Sequence, residues 1–194
     1  MNWANMNPDF AARIAMWLWD ALLIVWLAMW FGMKRAKRSE TARERLQHVI
    51  GVVLAFWLLF ENYYAILSPE VIPRTSLVLW TGILLAAVGV GISIWARLSL
   101  GANWSGMVTL KQGHELVRKG LYRWIRHPIY TGILLGFIGT ALIKGHARGW
   151  LGLIVLILSF YFKARREENF LRQEFGEGFE EHLRHTGMFL PKLI

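Results

Sequence analysis

Three long apolar runs constrain this chain more than any other feature of its sequence. Residues 14–33 form a run of 20, and residues 49–67 and 77–95 form runs of 19 each. At about 1.5 Å of rise per residue, a helix of this length crosses the roughly 30 Å hydrocarbon core of a bilayer. Hydrophobic residues make up 55% of the chain, above the share of about 45–50% in soluble domains. The sequence therefore predicts an integral membrane protein.

Two further apolar runs, residues 130–143 and 150–162, are shorter. They have 14 and 13 residues, fewer than the roughly 20 that a full span requires. They either extend helically into their flanks, tilt, or form a re-entrant hairpin. The predicted fold class is all-α, a polytopic membrane helix bundle with about five transmembrane helices, the last two short. In the third long run, Gly89 and Gly91 are predicted to permit close helix packing.

Basic residues between the apolar runs predict the orientation of the chain. Residues 34–48, 96–129 and 163–194 carry six Lys or Arg each. The other basic residues are Arg13, Arg74, Lys144 and Arg148. Because positively charged loops stay in the cytoplasm, this split of 18 to 4 predicts an external N-terminus and a cytoplasmic C-terminus. Topology and anionic lipid headgroups then explain the net charge of +9, and no nucleic-acid partner is predicted.

Missing residue types exclude several kinds of site. The chain has no cysteine, which excludes disulfides, thiolate metal ligands and a cysteine nucleophile. His182 and His185 have the spacing of two metal ligands on one helix, but no third ligand accompanies them. No metal site is therefore predicted.

The first polar segment that can carry chemistry is residues 113–132, G-H-E-L-V-R-K-G-L-Y-R-W-I-R-H-P-I-Y-T-G. Gly113 and Gly120 indicate turns. A residue that precedes proline avoids the helical region, and proline is favoured at the first position of a helix. The next helix is therefore predicted to begin at Pro128. His127 and Tyr130 then lie at its N-terminal turn, where free backbone N–H groups favour an anion.

The second polar segment continues the last apolar run and contains the acidic pair Glu167 and Glu168. An acidic pair where a helix leaves the bilayer is unfavourable if it faces lipid, so at least one carboxylate is predicted to face residues 113–130. Beyond the pair, an apolar stripe runs through Phe175 and Phe179. Cationic groups and a helix N-terminus beside a carboxylate suit an amino acid-like headgroup, such as that of S-adenosylmethionine.

Two motifs at this separation resemble a known family. The stretch G-L-Y-R-W-I-R-H-P-I-Y-T-G, then R-R-E-E-N-F-L-R-Q-E-F-G-E-G-F-E-E-H and a closing F-L-P, resembles the isoprenylcysteine carboxyl methyltransferases, within a wider group that includes phospholipid methyltransferases. The resemblance covers residues 100–191. It implies a membrane enzyme that transfers a methyl group from S-adenosylmethionine to the carboxylate of a lipidated, isoprenylcysteine-like acceptor, which enters from the bilayer.

The resemblance also implies the residues of the site. The implied cofactor-binding residues are His114, Glu115, Leu116, Val117, Tyr122, His127, Pro128, Ile129, Tyr130 and Glu167. The family's prenylcysteine enzymes hold the substrate with an arginine four residues before the glutamate, where this chain has Lys163. A lysine offers a point charge and not a bidentate fork. Lys163 and Arg166 are the candidates for holding the acceptor carboxylate, and Glu167 completes the predicted catalytic site.

On this interpretation the chain has two parts. Residues 1–95 form a three-span N-terminal membrane region, and residues 96–194 form the cofactor-binding and catalytic region, with a short helical hairpin and a cytoplasmic C-terminal helix. The predicted location is the cytoplasmic membrane of a prokaryote or the endoplasmic reticulum of a eukaryote, with the active site on the cytoplasmic side. The sequence predicts no oligomeric state.

Three other functions stay open at this point. An amine N-methyltransferase acting on a phospholipid or another amphiphile shares the same chemistry, but its acceptor must lose a proton. Membrane sterol reductases share a distant resemblance in their C-terminal region and use a nicotinamide cofactor. A non-enzymatic transporter or scaffold is disfavoured, because a transporter needs polar groups along a path through the bilayer.

Overall fold

The computed structural model describes residues 6–29, 36–39, 41–61, 69–101, 109–111 and 116–192. Its helices are α1 (Pro8–Ala28), α2 (Ala42–Phe60), α3 (Ser76–Leu100), α4 (Pro128–Lys144), α5 (Ala147–Phe175) and α6 (Glu177–His185), with a short 3-10 helix at Gly120–Arg123. The predicted helical bundle is confirmed. In addition, strands β1 (Ala36–Ser39) and β2 (Thr109–Lys111) pair in an antiparallel two-stranded ribbon that the sequence did not predict.

Local sequence signals explain where several helices begin. At the start of α2, the Thr41 hydroxyl accepts from the Glu44 backbone N–H and the Glu44 carboxylate accepts from the Thr41 N–H, a reciprocal capping box. Helix α4 begins at Pro128, as predicted. It ends at Gly145, whose φ of 71° places it in the left-handed region that glycine adopts without strain.

Helices α1, α3 and α5 are each long and apolar enough to cross a membrane. The run at residues 150–162 lies within α5, which has 29 residues, so this run extends helically into its polar flank. Helix α4 is apolar but has 17 residues. The membrane character of the chain is confirmed, while the count of about five spans stays a prediction for α2 and α4.

Glycines let α3 and α4 approach closely. A Cβ on Gly89 of α3 would lie 2.3 Å from the Gly136 nitrogen and 2.5 Å from the Gly132 oxygen, both on α4. The prediction of close packing is confirmed for Gly89. For Gly91 it is wrong, because a Cβ there would meet no described atom within 4 Å. The two glycines lie on different faces of one helix, and only one face meets α4.

We expect Gly89→Ala to destabilise the protein strongly and Gly91→Ala to leave its stability unchanged or slightly raised. The new methyl group at position 89 collides with backbone atoms, which cannot move aside as a side chain does, and overpacking of this kind costs about 1–3 kcal/mol or more. At position 91 the change only improves helix propensity, by up to about 1 kcal/mol. The unfolding temperature of the two detergent-purified variants tests this; equal temperatures would contradict the close contact.

The turn between α5 and α6 divides the predicted apolar stripe. Gly176 ends α5 with a φ of 50°, so Phe175 and Phe179 belong to different helices. Phe179 is 1% exposed and anchors α6 to the protein. In one continuous helix, the apolar stripe would wind around the helix axis and away from the core. The turn at Gly176 instead lets Phe179 pack into the core.

Chain reversals place the polar segments together at one end of the bundle. That end holds the β1–β2 ribbon, the start of α4 and the polar end of α5. At the other end, the Val71 N–H donates to the Gly145 oxygen at the α4–α5 turn (2.8 Å). This arrangement agrees with the grouping of basic segments in the sequence. Which membrane face the polar end occupies stays a prediction.

Candidate functional site

The site lies where the start of α4 meets the acidic pair of α5. The His127 imidazole is 7% exposed and lies between two carboxylates. Its Nδ1 is 3.2 Å from Glu167 Oε2, and its Nε2 is 3.3 Å from Glu168 Oε1. The proposed cofactor site requires His127 and Glu167 to reach one small molecule, and the structure brings these two side chains into contact.

The two glutamates differ in exposure and in partners. Glu168 is 1% exposed and accepts a hydrogen bond from Arg126 Nε (2.7 Å). Glu167 is 22% exposed and accepts one from the Tyr130 hydroxyl (2.6 Å). Glu168 is therefore enclosed by the protein, whereas Glu167, whose two oxygens are bonded by His127 and Tyr130, is the more exposed carboxylate of the pair.

The two carboxylates change the protonation of His127. Burial alone would lower the pKa of His127, but the hydrogen bonds that its ring donates to Glu167 and Glu168, together with their negative charges, outweigh burial and raise the pKa above its ordinary 6.5. When protonated, the imidazole joins the Arg126 guanidinium in balancing the charges of Glu167 and Glu168.

We expect the contribution of His127 to the free energy of unfolding to decrease as pH rises. Because the pKa of His127 is raised on folding, its contribution is full below the unfolded value of about 6.5 and is lost as pH rises through the folded value. Relative to wild type, His127→Gln should therefore be destabilised at pH 6, by about 2 kcal/mol, and the difference should shrink toward pH 9. Unfolding measured across this range tests it. His185→Gln is the control, because the exposed His185 contacts the backbone oxygen of Glu181 and no carboxylate of the described residues. A difference that stays constant with pH would contradict a charged His127.

The closing segment of the chain fixes the backbone before α4. The His127 N–H donates to the Met188 oxygen (3.1 Å) and the Thr131 hydroxyl to the Phe189 oxygen (2.6 Å). The Phe189 ring packs edge-on against the His127 and Tyr130 rings, at centroid distances of 6.2 and 6.4 Å. Residues 187–189 therefore act as a strap that holds the imidazole in place.

Sequence reasoning assigned no role to Arg126 or Phe189. The structure places both in direct contact with the predicted site, Arg126 on Glu168 and Phe189 on His127. The signals were present, since Arg126 opens the R-H-P-I-Y motif and Phe189 begins the closing F-L-P. Neither motif by itself indicated that the two segments meet.

Several other predicted site residues form an apolar wall beside His127. Tyr122 and Ile129 are each 7% exposed and belong to one buried cluster, against which Val117 and Tyr130 pack. Burial raises the pKa of Tyr122 well above its ordinary value, so its phenol stays neutral. Pro128 is buried and Leu116 half-buried. His114 and Glu115 lie outside the described residues.

A cavity of about 540 Å³ opens beside this wall, between α1, α2, α4 and α5. Its lining residues are Trp19, Asp20, Leu22, Leu23, Trp26, His48, Val52, Phe56, Ile129, Tyr130, Ile133, Phe160 and Lys163. Most of these are apolar, and the exceptions include Lys163, which is 5% exposed and lies 5.8 Å from the Tyr130 ring centroid. The cavity therefore combines a lipid-like interior with a buried cation.

Lys163 and Arg166, the two cationic candidates, occupy different places. Lys163 lines the cavity. Arg166 donates from Nη2 to the Glu44 oxygen at the start of α2 (3.5 Å), and among the described residues it is not part of the cavity wall. Residues three apart lie only about 60° from each other around a helix, so it is the contact of Arg166 with α2 that separates it from the cavity.

Tyr130 belongs to both halves of the site. Its hydroxyl donates to Glu167, and the residue also lines the cavity. Tyr130 therefore links the acidic cluster at His127 and Glu167 to the apolar cavity at Lys163. A ligand bound beside His127 and Glu167 and a ligand in the apolar cavity would both contact Tyr130.

Known proteins match the region that carries the site. The family model described as phospholipid methyltransferase matches residues 77–178, from α3 to the start of α6. A probable protein-S-isoprenylcysteine O-methyltransferase from Oryza sativa subsp. indica is 28% identical over 190 residues, covering 93% of this chain and 98% of that protein. Protein-S-isoprenylcysteine O-methyltransferase from Schizosaccharomyces pombe is 31% identical over 100 residues, 50% of this chain and 42% of that one.

A solved structure is also similar. It is the eukaryotic intramembrane Ras methyltransferase ICMT (isoprenylcysteine carboxyl methyltransferase), with a TM-score of 0.52 and 25% identity. The match covers 75% of this chain and 52% of the solved chain. The present chain thus spans about half the length of that protein.

Proposed function

Because the chain belongs to the phospholipid methyltransferase family, we propose that it is an integral membrane methyltransferase acting on the carboxylate of a lipidated, isoprenylcysteine-like acceptor. The chain is similar to proteins from a plant and a yeast that are named isoprenylcysteine O-methyltransferases. The single observation that supports the site is the arrangement around Tyr130, whose hydroxyl bonds Glu167 while the residue lines the apolar cavity.

The residues present fit S-adenosylmethionine as the methyl donor. Its amino acid end carries an ammonium and a carboxylate, next to a sulfonium. The Glu167 carboxylate, 22% exposed, suits the positive groups. The start of α4, which no side chain of the described residues caps, presents backbone N–H groups to the carboxylate. When bound, the cofactor supplies an electrophilic methyl group on sulfur.

We assign the cofactor to the pocket beside His127. Glu167 and the first turn of α4 would hold the amino acid end, and the wall of Val117, Tyr122 and Ile129 would face the apolar parts. His127 keeps Glu167 oriented, because His127 bonds one oxygen of the Glu167 carboxylate and Tyr130 bonds the other. His114, Glu115, Leu116, Pro128 and Tyr130 complete the proposed set.

The acceptor needs alignment and not activation by a base. A carboxylate is already deprotonated at neutral pH. The protein must hold its attacking oxygen in line with the methyl group and exclude water, and correct orientation can supply about 7–11 kcal/mol. Lys163 at the polar end of the cavity would bind one acceptor oxygen, while the apolar walls take the lipid chain. Such a site has to be membrane-embedded, because the acceptor arrives from the bilayer.

The proposed location follows from the charge distribution. The polar end of the bundle, with the site, would face the cytoplasm, where the cofactor is made and basic loops are retained. The membrane would be the cytoplasmic membrane in a prokaryote and the endoplasmic reticulum in a eukaryote.

The decisive experiment is transfer of tritium from S-adenosylmethionine into membrane extracts or a prenylated thiol, followed by treatment with alkali. A methyl ester releases volatile methanol in base, whereas an N-methyl product does not. Alkali-labile label is the expected result. The absence of any labelled product across prenylated acids would contradict the proposed acceptor.

An amine acceptor is the second candidate, and one observation favours it. Asp20 also lines the cavity, and a carboxylate there suits an ammonium group. An amine must lose a proton before it attacks, so its rate rises with pH, whereas the rate with a carboxylate changes little above about pH 6. Alkali-stable label together with a rate that increases with pH would establish this alternative.

A further inference from the structure

We infer that His48 is a second acceptor-binding residue, which joins Lys163 in holding the acceptor carboxylate and so compensates for the missing arginine fork. This inference rests on the proposed function. It concerns a residue of α2, a helix that the match to the phospholipid methyltransferase family does not include.

The first support is the position of His48. It lines the same cavity as Lys163 and is half-buried. Its Nδ1 lies 2.9 Å from the Ser159 hydroxyl of α5. Ser159 is four residues before Lys163, which places the two side chains on the same face of α5. The imidazole and the lysine ammonium are therefore neighbours on one wall of the cavity.

The second support is that the imidazole is held rigidly. Besides the Ser159 contact, its ring packs against Phe160 at a centroid distance of 5.9 Å. Nδ1 is occupied by Ser159, and Nε2 makes no hydrogen bond with any described residue. Nε2 is therefore the nitrogen that a ligand can use.

The third support is the chemistry of the acceptor. A carboxylate has two oxygens, and an arginine would bond both from one side chain. A lysine supplies a single centre of charge. The Ser159 hydroxyl lies within hydrogen-bond distance of both His48 Nδ1 (2.9 Å) and the His48 backbone oxygen (3.3 Å). When it donates to Nδ1, the neutral imidazole carries its proton on Nε2 and can donate it to the second acceptor oxygen. Two side chains from two helices thus provide the two donors.

The test is equilibrium binding to the detergent-purified full chain in the presence of S-adenosylhomocysteine. The probe is N-acetyl-S-farnesylcysteine, and its carboxamide serves as the matched ligand without a charge. His48→Leu should weaken binding of the acid by about 10- to 100-fold, the range for a lost hydrogen bond to a charged group, and should leave the amide much less affected. Gln47→Leu, an exposed neighbour on α2, should bind both ligands as wild type does.

Two further variants separate binding from packing. His48→Gln places an amide near the position of Nε2 and should retain acid binding. His48→Asn reaches only the position of Nδ1, so it preserves the Ser159 contact and should lose acid binding as the leucine variant does. Wild-type acid affinity in the leucine or the asparagine variant would overturn the inference.

The outcomes also separate this inference from the proposed reaction. Methyl transfer to the acid together with unchanged acid binding in the leucine variant rejects the role of His48 and leaves the reaction intact. Acid binding that depends on His48, without methyl transfer by wild type, rejects the reaction and leaves the binding role intact. Protection by S-adenosylhomocysteine against thermal unfolding reports whether each variant is folded.

Discussion

Glu167→Gln is expected to weaken binding of S-adenosylhomocysteine by about 100-fold or more and to reduce methyl transfer accordingly, because loss of one partner from a desolvated charge pair costs about 2–5 kcal/mol. Glu167 of α5 faces the start of α4 and is 22% exposed. The substitution keeps the shape of the side chain, removes its charge and replaces one acceptor oxygen with an amide donor. The measurement is the rise in unfolding temperature with ligand concentration, complemented by direct binding.

Two matched variants sharpen this prediction. Glu177→Gln changes an exposed glutamate in the first turn of α6 and should bind ligand as wild type does. Glu168→Gln should instead lower the unfolding temperature without ligand, because it leaves the Arg126 guanidinium without its buried partner at 2.7 Å, a loss of about 3–5 kcal/mol. Equal ligand affinity in Glu167→Gln and wild type would refute the cofactor site.

Thermal unfolding in the presence of ligands also distinguishes a methyltransferase from the oxidoreductase alternative. S-Adenosylhomocysteine should protect the wild-type protein from thermal unfolding, and NADPH should not. A ligand at 100 times its dissociation constant stabilises a protein by about 2.7 kcal/mol, which is readily measured. Protection by NADPH alone would favour a reductase.

Lys163→Met is expected to raise the KM for a carboxylate acceptor by about 10- to 100-fold, since it removes a charge-assisted hydrogen bond. Methionine has a similar length and suits the apolar cavity, so the fold should tolerate the change. Lys163 is 5% exposed, and an unbranched methionine fills a similar volume at this buried position. Initial rates over a range of acceptor concentrations provide the measurement.

Two arginine variants control for charge and for position. Lys163→Arg should retain a low KM, because arginine binds carboxylates bidentately. Arg165→Met changes an exposed cation two residues further along α5 and should leave the KM unchanged. A KM for Lys163→Met equal to that of wild type would assign the acceptor carboxylate to other groups.

The sequence predicted the start of the site well, for local reasons. Proline cannot donate a hydrogen bond and restricts the residue before it, so Pro128 could only begin α4 and His127 could only precede it. The acidic pair was predicted to face the protein because carboxylates are unfavourable in lipid. Together with the two motifs, these rules anticipated that His127 and Glu167 lie close enough to share one ligand.

The different partners of Glu167 and Glu168 could not be predicted in the same way. Adjacent residues differ by about 100° around a helix, and which of them stays accessible depends on what packs against each. Arg126 and the strap at residues 187–189 lie on other segments of the chain. The sequence favoured Glu167 only through the family motif.

The sequence by itself determined that this is a membrane helix bundle, that α4 begins at Pro128 and that the polar segments group at one end, because hydropathy, charge and proline act locally along the chain. Only the tertiary structure decided that Tyr130 joins the acidic cluster to the apolar cavity, that Lys163 lines the cavity while Arg166 turns to α2, and that His48 lines the same cavity as Lys163. These relations depend on how helices distant in sequence rotate and pack against one another. Periodicity gives the apolar faces but does not fix which side chains meet across them.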